Sequence, residues 1–265
     1  MNRKNYQIYK GDCLKILPTL KDESVDAIIS DPPYSSGGQT SGTRSAMPSK
    51  KYVNSEVKIV RPDFFGDNKD QRSFLHWCAL WLSECFRIAK MGSPVCIFTD
   101  WRQLPITTDA IQAAGFVWRG LVAWNKTEAV RPQKGRFRNQ CEYLVWGSKG
   151  DMPMKRNVKV LPGAYTVPVR QDDKFHLTGK PTELMEHLVK ITEPNGTILD
   201  PFLGSGTTGV AAIKQGYKFV GIEQSKEYYS IAEQRLSEAQ PLETNAYGNT
   251  NTSINSWNNS TIPCI

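Results

Sequence analysis

The sequence lacks any run of eighteen apolar residues, so no stretch of it could cross a bilayer as a helix. Its first segment, MNRKNYQIYKGDCLKIL, lacks the apolar core of a signal peptide, and a cytoplasmic protein is expected. The six cysteines (Cys13, Cys78, Cys85, Cys96, Cys141 and Cys264) contain no C-x-x-C pair. That argues against a zinc cluster or a disulfide frame; reduced thiols and no metal are expected. No Lys-Ser or Lys-Thr follows the glycines of residues 204–209, which excludes a Walker phosphate loop.

What is present is ordinary in bulk. The 265 residues are 39% apolar, enough for one sizeable core. We expect one domain over residues 1–240 and a polar, disordered tail over 241–265, where Asn, Thr and Ser dominate. The formal charge is +7 and the pI near 9.0. That suits a polyanionic partner, and equally a mildly basic globular protein without one.

Strand and helix patterns alternate along the chain. Strands are expected at 6–9, 25–30, 95–98, 116–124, 142–146, 197–200 and 218–222. Helices are expected at 73–90, 104–114, 184–191, 210–215 and 226–239, with a short amphipathic segment at 14–20. In the first long helix, Trp77 and Trp81 recur at helical spacing and read as core, with Gly92 as the stop. Residues 151–175 read as a connector or a small recognition element. The alternation argues for an α/β fold with a largely parallel sheet. Ligands of such sheets sit beyond the carboxyl ends of the strands, where Asp31, Asp200 and Glu223 fall.

Two stretches carry chemistry. Asp31-Pro32-Pro33-Tyr34 follows a strand. The prolines fix φ and remove two N–H donors, so a carboxylate, stiff backbone and a flat ring meet at one point. Such a site suits a planar base with an exocyclic amine. The second stretch, Asp200 to Gly209, reads D-P-F-L-G-S-G-T-T-G. Its G-x-G-x-x-G pattern supports close backbone approach to a nucleotide-like ligand, and Glu223 ends the next strand where an acid can meet ribose hydroxyls. A nicotinamide cofactor satisfies that much. An acid beside the loop fits the cationic donor S-adenosylmethionine better than a pyrophosphate, and hydride transfer has no use for Asp31-Pro32-Pro33-Tyr34.

Two further stretches are basic and broken by glycine or proline: 35–72, with Arg44, Lys50 and Lys51, and 126–138, with Arg131, Lys134, Arg136 and Arg138 around Phe137. Cations on adaptable backbone are what phosphate contacts need, so 35–72 and 126–175 are expected to contact DNA. Solvated surface loops are the plainer reading of the same residues.

The two chemical motifs and the flanking Thr178-Gly179-Lys180-Pro181 resemble those of the amino-group DNA methyltransferases, of the β-class order with the catalytic motif first. The resemblance covers most of residues 6–238. It implies a circularly permuted, Rossmann-like fold with a mostly parallel seven-stranded sheet and one antiparallel strand. It implies that Asp31 and the Pro32 carbonyl accept hydrogen bonds from an amine, with Pro33 and Tyr34 completing that pocket and Tyr34 stacking on a flipped base. Asp200, Phe202, Gly204, Ser205, Gly206, Thr207 and Thr208 would hold the methionine part of S-adenosylmethionine. Glu223 with Gln224 would hold its ribose, Asp12-Cys13 would meet its adenine, and Lys180, Pro181 and Glu183, beside Asp31, would close the pocket.

Asp rather than Ser before the prolines implies transfer to adenine N6 in double-stranded DNA. N4-cytosine and RNA are the alternatives within that class. A nicotinamide-dependent oxidoreductase and a non-catalytic DNA-binding protein are the alternatives outside it. The resemblance further implies a bacterial, phage or prophage setting, and leaves open a homodimer and a cognate restriction endonuclease.

Overall fold

The computed structural model describes residues 5–34, 69–128, 130, 132, 134–169 and 179–241. Arg44, Lys50, Lys51, Arg131, most of the 35–72 stretch and nearly all of the expected tail lie outside the described residues.

The described strands are β1 (Tyr6–Lys10), β2 (Ala27–Ser30), β3 (Pro94–Thr99), β4 (Val117–Asn125), β5 (Cys141–Ser148), β6 (Ala164–Thr166), β7 (Thr197–Asp200) and β8 (Lys218–Glu223). They form one sheet in the order β1-β8-β7-β2-β3-β5-β4-β6. β5 runs antiparallel to both its neighbours, while every other pairing is parallel. The single antiparallel strand is as expected. The sheet has eight strands rather than seven because Ala164–Thr166 adds to the edge at β4. Three residues are too few to carry a readable alternation, so the connector reading missed β6.

Among the described residues, six α-helices flank the sheet: α1 (Cys13–Ile16), α2 (Gln71–Ile88), α3 (Leu104–Ala113), α4 (Thr182–Leu188), α5 (Thr207–Lys214) and α6 (Lys226–Glu238). The central strands are buried on both faces, and adjacent side chains divide between two cores. Ala27, Ile29, Cys96 and Phe98 pack with Leu184, Met185, Ala211 and Ala232 of α4, α5 and α6. Ile28, Val95 and Ile97 pack with Phe74, Trp81, Leu82 and Ile111 of α2 and α3. That is why these strands read as continuous apolar runs rather than alternations. No helix among the described residues is long and apolar enough to cross a membrane.

Helix starts follow local capping. Asp70 accepts hydrogen bonds from the backbone N–H of Arg72 and Ser73, both at 2.9 Å, so α2 begins before the apolar periodicity does. It ends at Ile88, short of Gly92, because Ala89 is drawn into a bridge with Val25. α5 begins three residues before the expected Val210, since Gly206 adopts φ +87 and caps it. Ser225 caps α6, its hydroxyl accepting from Tyr228 N at 3.3 Å.

The order of the strands fixes where ligands can bind. From β2 the sheet grows outward through β3 in one direction and through β7 and β8 in the other. The carboxyl ends of β2 and β7 are thus neighbours at a topological switch point, where a crevice opens. A close fit holds α5 under that crevice. A Cβ on Gly209 would lie 2.6 Å from Leu236 Cδ2 and 2.7 Å from Phe219 Cε1. Gly209→Ala is therefore expected to destabilise the protein by about 1–3 kcal/mol through overpacking. An unchanged midpoint of chemical denaturation would show that α5 can shift without cost.

Candidate functional site

Along one edge of the sheet, parallel strands deliver acids in turn. Asp12 follows β1, Glu223 ends β8, Asp200 ends β7, Asp31 follows β2 and Asp100 follows β3. β5 is antiparallel, so its beginning rather than its end lies at this edge and brings Glu142. All six carboxylates line one cavity of about 640 Å³, against four cations: Lys69, Arg102, Lys126 and Lys180.

Near β2 the site is a chain of charges. Lys180 Nζ donates to Asp31 Oδ2 at 2.5 Å and lies 3.4 Å from Glu142 Oε2. Lys126 Nζ donates to Glu142 Oε1 at 2.9 Å, and the Tyr34 hydroxyl donates to Glu142 Oε2 at 3.1 Å. The Lys180 ammonium also sits 5.0 Å from the Phe98 ring centroid and 5.6 Å from that of Tyr34. Asp31 Oδ1 is shielded from solvent and has no hydrogen-bond partner among the described residues. An orphan acceptor beside an aromatic ring is a strong demand for a donor.

The charges shift one another. Burial pushes the Asp31 carboxyl up to about 6; Lys180 restrains the rise, while Glu142 and Asp200 add to it. Burial would also raise Glu142, but Lys180, Lys126 and the Tyr34 hydroxyl outweigh it and hold that carboxyl down at about 2. Burial works against the Lys180 ammonium, yet Asp31 and Glu142 prevail and push it above the usual lysine range.

The second half of the cavity is built by the glycine loop. Asp200 is buried, accepts from Ser30 Oγ at 2.6 Å and from Phe202 N at 3.0 Å, and is raised by burial against those bonds. Glu223 accepts from Gly204 N at 2.8 Å and Ser225 N at 2.7 Å. Burial still lifts it to about 7, with Asp200 adding to the rise. Arg235 of α6 braces the loop by donating to the Ser205 carbonyl at 2.6 Å and to Thr207 Oγ1 at 3.2 Å. Asp12 caps α1 by accepting from Leu14 N at 3.0 Å. Beside it, burial pushes the Cys13 thiol up to about 12, so it stays a neutral wall rather than a nucleophile.

The cavity collects Asp12, Cys13, Asp31, Pro32, Pro33, Tyr34, Lys180, Asp200, Phe202, Gly204, Ser205, Thr207, Thr208, Glu223 and Gln224 from the sequence-predicted residues. Gly206, Pro181 and Glu183 do not line it. Gly206 faces Ala232 of α6, Pro181 is buried at the start of α4, and Glu183 is exposed. Lys134, Arg136 and Arg138 are exposed on the β4–β5 connection and also lie off the cavity.

Sequence reasoning missed Glu142 and Lys126, which are remote from the motifs in the chain. It placed Trp77 in the core, and Trp77 does pack against that core, but it also lines the cavity against Phe202, with ring centroids 5.2 Å apart. A helical periodicity marks a buried stripe but not which of its ends opens into a cleft. Trp101, 53% exposed, and Arg102 add to the wall beyond β3.

The DNA methylase family of N6 and N4 methyltransferases matches residues 25–234, which include the whole charge chain and the glycine loop. The chain belongs to that family.

Its relatives agree with the assignment. The chain is 31% identical over 255 residues to type II methyltransferase M.HinfI of Haemophilus influenzae, covering 88% of this chain and 69% of that one. It is 28% identical over 232 residues to the putative methylase YubD of Escherichia coli (strain K12), covering 87% and 90%. The crystal structure of the M1.HpyAVI–SAM complex superposes with a TM-score of 0.63 at 27% identity, over 87% of this chain and 98% of that one. The cytosine-N4-specific PvuII DNA methyltransferase shares the fold, with a TM-score of 0.65 at 18% identity, over 87% and 86%. The family member described here is accordingly a DNA amino-methyltransferase with a mixed α/β sheet.

The raised acids make the protein's stability depend on pH. Asp31 and Glu223 ordinarily titrate near 3.8 and 4.5, and the folded chain lifts them to about 6 and about 7. Between those limits the native state binds more protons than the unfolded one. Their stabilising contribution is complete at acid pH and is lost as pH rises through the folded values. The melting temperature of the ligand-free protein should carry this fall between about pH 4 and about pH 7. Asp31→Asn and Glu223→Gln should each make the fall smaller, and a fall as large as the wild type's in either variant would refute the assignment of that group.

Proposed function

We propose that this enzyme transfers a methyl group from S-adenosylmethionine to the N6 amine of adenine in double-stranded DNA. The observation that carries the reading is the orphan Asp31 Oδ1, shielded beside Tyr34 in the same cavity as Asp200 and Glu223. The donor set fits the methyl donor on chemical grounds. Asp200 raises both Asp31 and Glu223, so three mutually repelling carboxylates would be relieved by a ligand carrying a sulfonium and an ammonium. Glu223 offers acceptors for ribose hydroxyls, and Phe202 and Trp77 offer flat apolar surface for an adenine ring. When bound, S-adenosylmethionine supplies an electrophilic methyl carbon.

The protein's part is to make a poor nucleophile better and to hold it still. The adenine N6 lone pair is delocalised into the ring. Asp31 Oδ1 accepts one amine hydrogen and the Pro32 carbonyl accepts the other, favouring a more tetrahedral nitrogen with a directed lone pair. Tyr34 stacks on the base, whose extrusion from the duplex costs a few kcal/mol. Asp31 is then placed to take the proton that the amine releases on methylation. Positioning and electrostatics carry the acceleration, and no covalent enzyme intermediate is required. Asp31, where cytosine-N4 relatives of the resembled class have Ser, favours adenine.

Incubation with labelled methyl donor and unmethylated DNA, followed by nucleoside analysis, tests the reading. Label in N6-methyladenine supports it, and label in N4-methylcytosine or in RNA alone rejects it. Asp31→Asn should abolish turnover while calorimetric donor binding survives, whereas Asp200→Ala should weaken donor binding. The acid limb of the wild-type rate profile should fall near the Asp31 value of about 6.

Arg44, Lys50, Lys51 and Arg131 belong, in this reading, to the phosphate-contacting surface with Lys134, Arg136 and Arg138. The last three are exposed on the connection whose two ends bring Lys126 and Glu142 to the cavity. Replacing Lys134, Arg136 and Arg138 together by alanine should weaken DNA binding and reduce the slope of log K against log salt by up to about 3. An unchanged slope would leave that connection as plain solvated surface.

A further inference from the structure

Glu142 makes three contacts within the cavity wall and belongs to neither sequence motif. Its Oε2 accepts from the Tyr34 hydroxyl at 3.1 Å and lies 3.4 Å from Lys180 Nζ. Its Oε1 accepts from Lys126 Nζ at 2.9 Å. Three ties to two oxygens fix the plane of the carboxylate. Its backbone is equally held: β5 is flanked by β3 and β4, and Glu142 stands opposite Trp124 in the β4 register. A side chain on a paired strand is a firmer anchor than one on a loop. Asp31 and Tyr34, by contrast, follow the end of β2 and lie outside any strand.

We infer that Glu142 is a positioning residue for the amine pocket, holding Tyr34 through its hydroxyl and Asp31 through Lys180. This deepens the proposed reading and rests on it, since the amine pocket is the one assigned there. Lys180 occupies Asp31 Oδ2, so Oδ1 is left to meet the amine. Glu142 sets where Lys180 stands and thereby sets the direction of Oδ1. The same carboxylate sets the tilt of the Tyr34 ring. One residue thus fixes the relation between the acceptor of the amine and the surface that holds the base.

Glu142 also balances charge. Asp31, Lys180, Glu142 and Lys126 alternate in sign and sum to zero. Without Glu142 the chain would carry a net positive charge beside the place assigned to a cationic methyl donor. The charged groups facing Asp31 are Lys180 from the segment before α4, Glu142 from β5 and Asp200 from β7. Those facing Glu142 are Lys180 and Lys126, with the Tyr34 hydroxyl. Among these, Glu142 and Asp200 favour a protonated Asp31, and Lys180 opposes it.

Glu142→Gln, which keeps shape and removes charge, tests this. Two readouts are taken: steady-state methylation of unmethylated DNA as a function of pH, and a carbon-13 NMR titration of the Asp31 carboxyl in the ligand-free protein. The variant should lose about 10²-fold in kcat, the scale of a misplaced reacting group, with a smaller change in KM. Its Asp31 midpoint and the acid limb of its rate profile should both move to lower pH, because a neighbouring negative charge is gone. Glu142→Asp should restore the midpoint but not kcat, since it keeps the charge and loses the reach. A role limited to stability would lower the melting temperature and leave the midpoint and kcat of the folded fraction at wild-type values, which would overturn the inference.

Should Glu142→Gln fail to fold, Tyr34→Phe removes only the hydroxyl tie. It should lower kcat more than it changes KM, and an unchanged kcat would overturn the inference. Turnover retained in Asp31→Asn would instead refute the proposed amine pocket itself. The NMR titration reads the coupling of Glu142 to Asp31 without any turnover.

Discussion

The ion pair between Asp31 and Lys180 is the contact on which the site depends. Lys180 is buried, and its ammonium lies 2.5 Å from the Asp31 carboxylate. Taking either charge out of water alone would cost several kcal/mol, and such a pair recovers that only with good geometry and further partners. Here the partners are supplied by Glu142, Lys126 and the Tyr34 hydroxyl. The pair ties the end of β2 to the segment that opens α4, two places 149 residues apart in the chain. The stability of this arrangement and the shape of the cavity are therefore one problem. The orphan Oδ1 of Asp31 is left over from that compromise, and it is the atom that demands a ligand.

Much of this was legible in the sequence, for a physical reason. In a parallel sheet, every strand's carboxyl end lies at the same edge, so acids at strand ends must converge. Asp31, Asp200 and Glu223 stand out by their motifs, that rule predicts that one cleft holds them, and the cavity contains all three. The glycine loop was equally legible because a strand, a turn and a helix are contiguous in the chain. The two buried cores were visible as apolar runs, since β2 and β3 are covered on both faces.

What stayed hidden depends on strand direction and on pairing at long range. Glu142 opens a strand, and the rule that seeks acids at strand ends passes over it. Because β5 is antiparallel, its first residues reach the edge that the other strands reach with their last. Nothing local in residues 141–148 announces that reversal. Lys126 falls in the sequence within a basic stretch, and only the pairing of β4 with β5 brings it to Glu142. Trp77 was hidden differently: its spacing is that of a core residue, and its exposure to the cavity depends on where Phe202 ends up.

The separation of charge follows from the same architecture. The chain as a whole carries +7, yet the cavity sets six carboxylates against four cations. A basic protein has thus gathered acids at one edge of its sheet and left the balance of its positive charge elsewhere. Under the proposed reading the two ligands call for opposite fields: a polyanion at the rim and a cationic methyl donor in the cleft. A uniformly basic cleft would attract the phosphates and repel the sulfonium. The short basic connection between β4 and β5 resolves the conflict over a few residues. Lys126 at its start is neutralised by Glu142 just beyond its end, while Lys134, Arg136 and Arg138 between them remain exposed. Positive charge therefore gives way to a balanced pair between the connection and the cavity wall; under the proposed reading, a base entering there would leave its phosphates outside with the exposed cations.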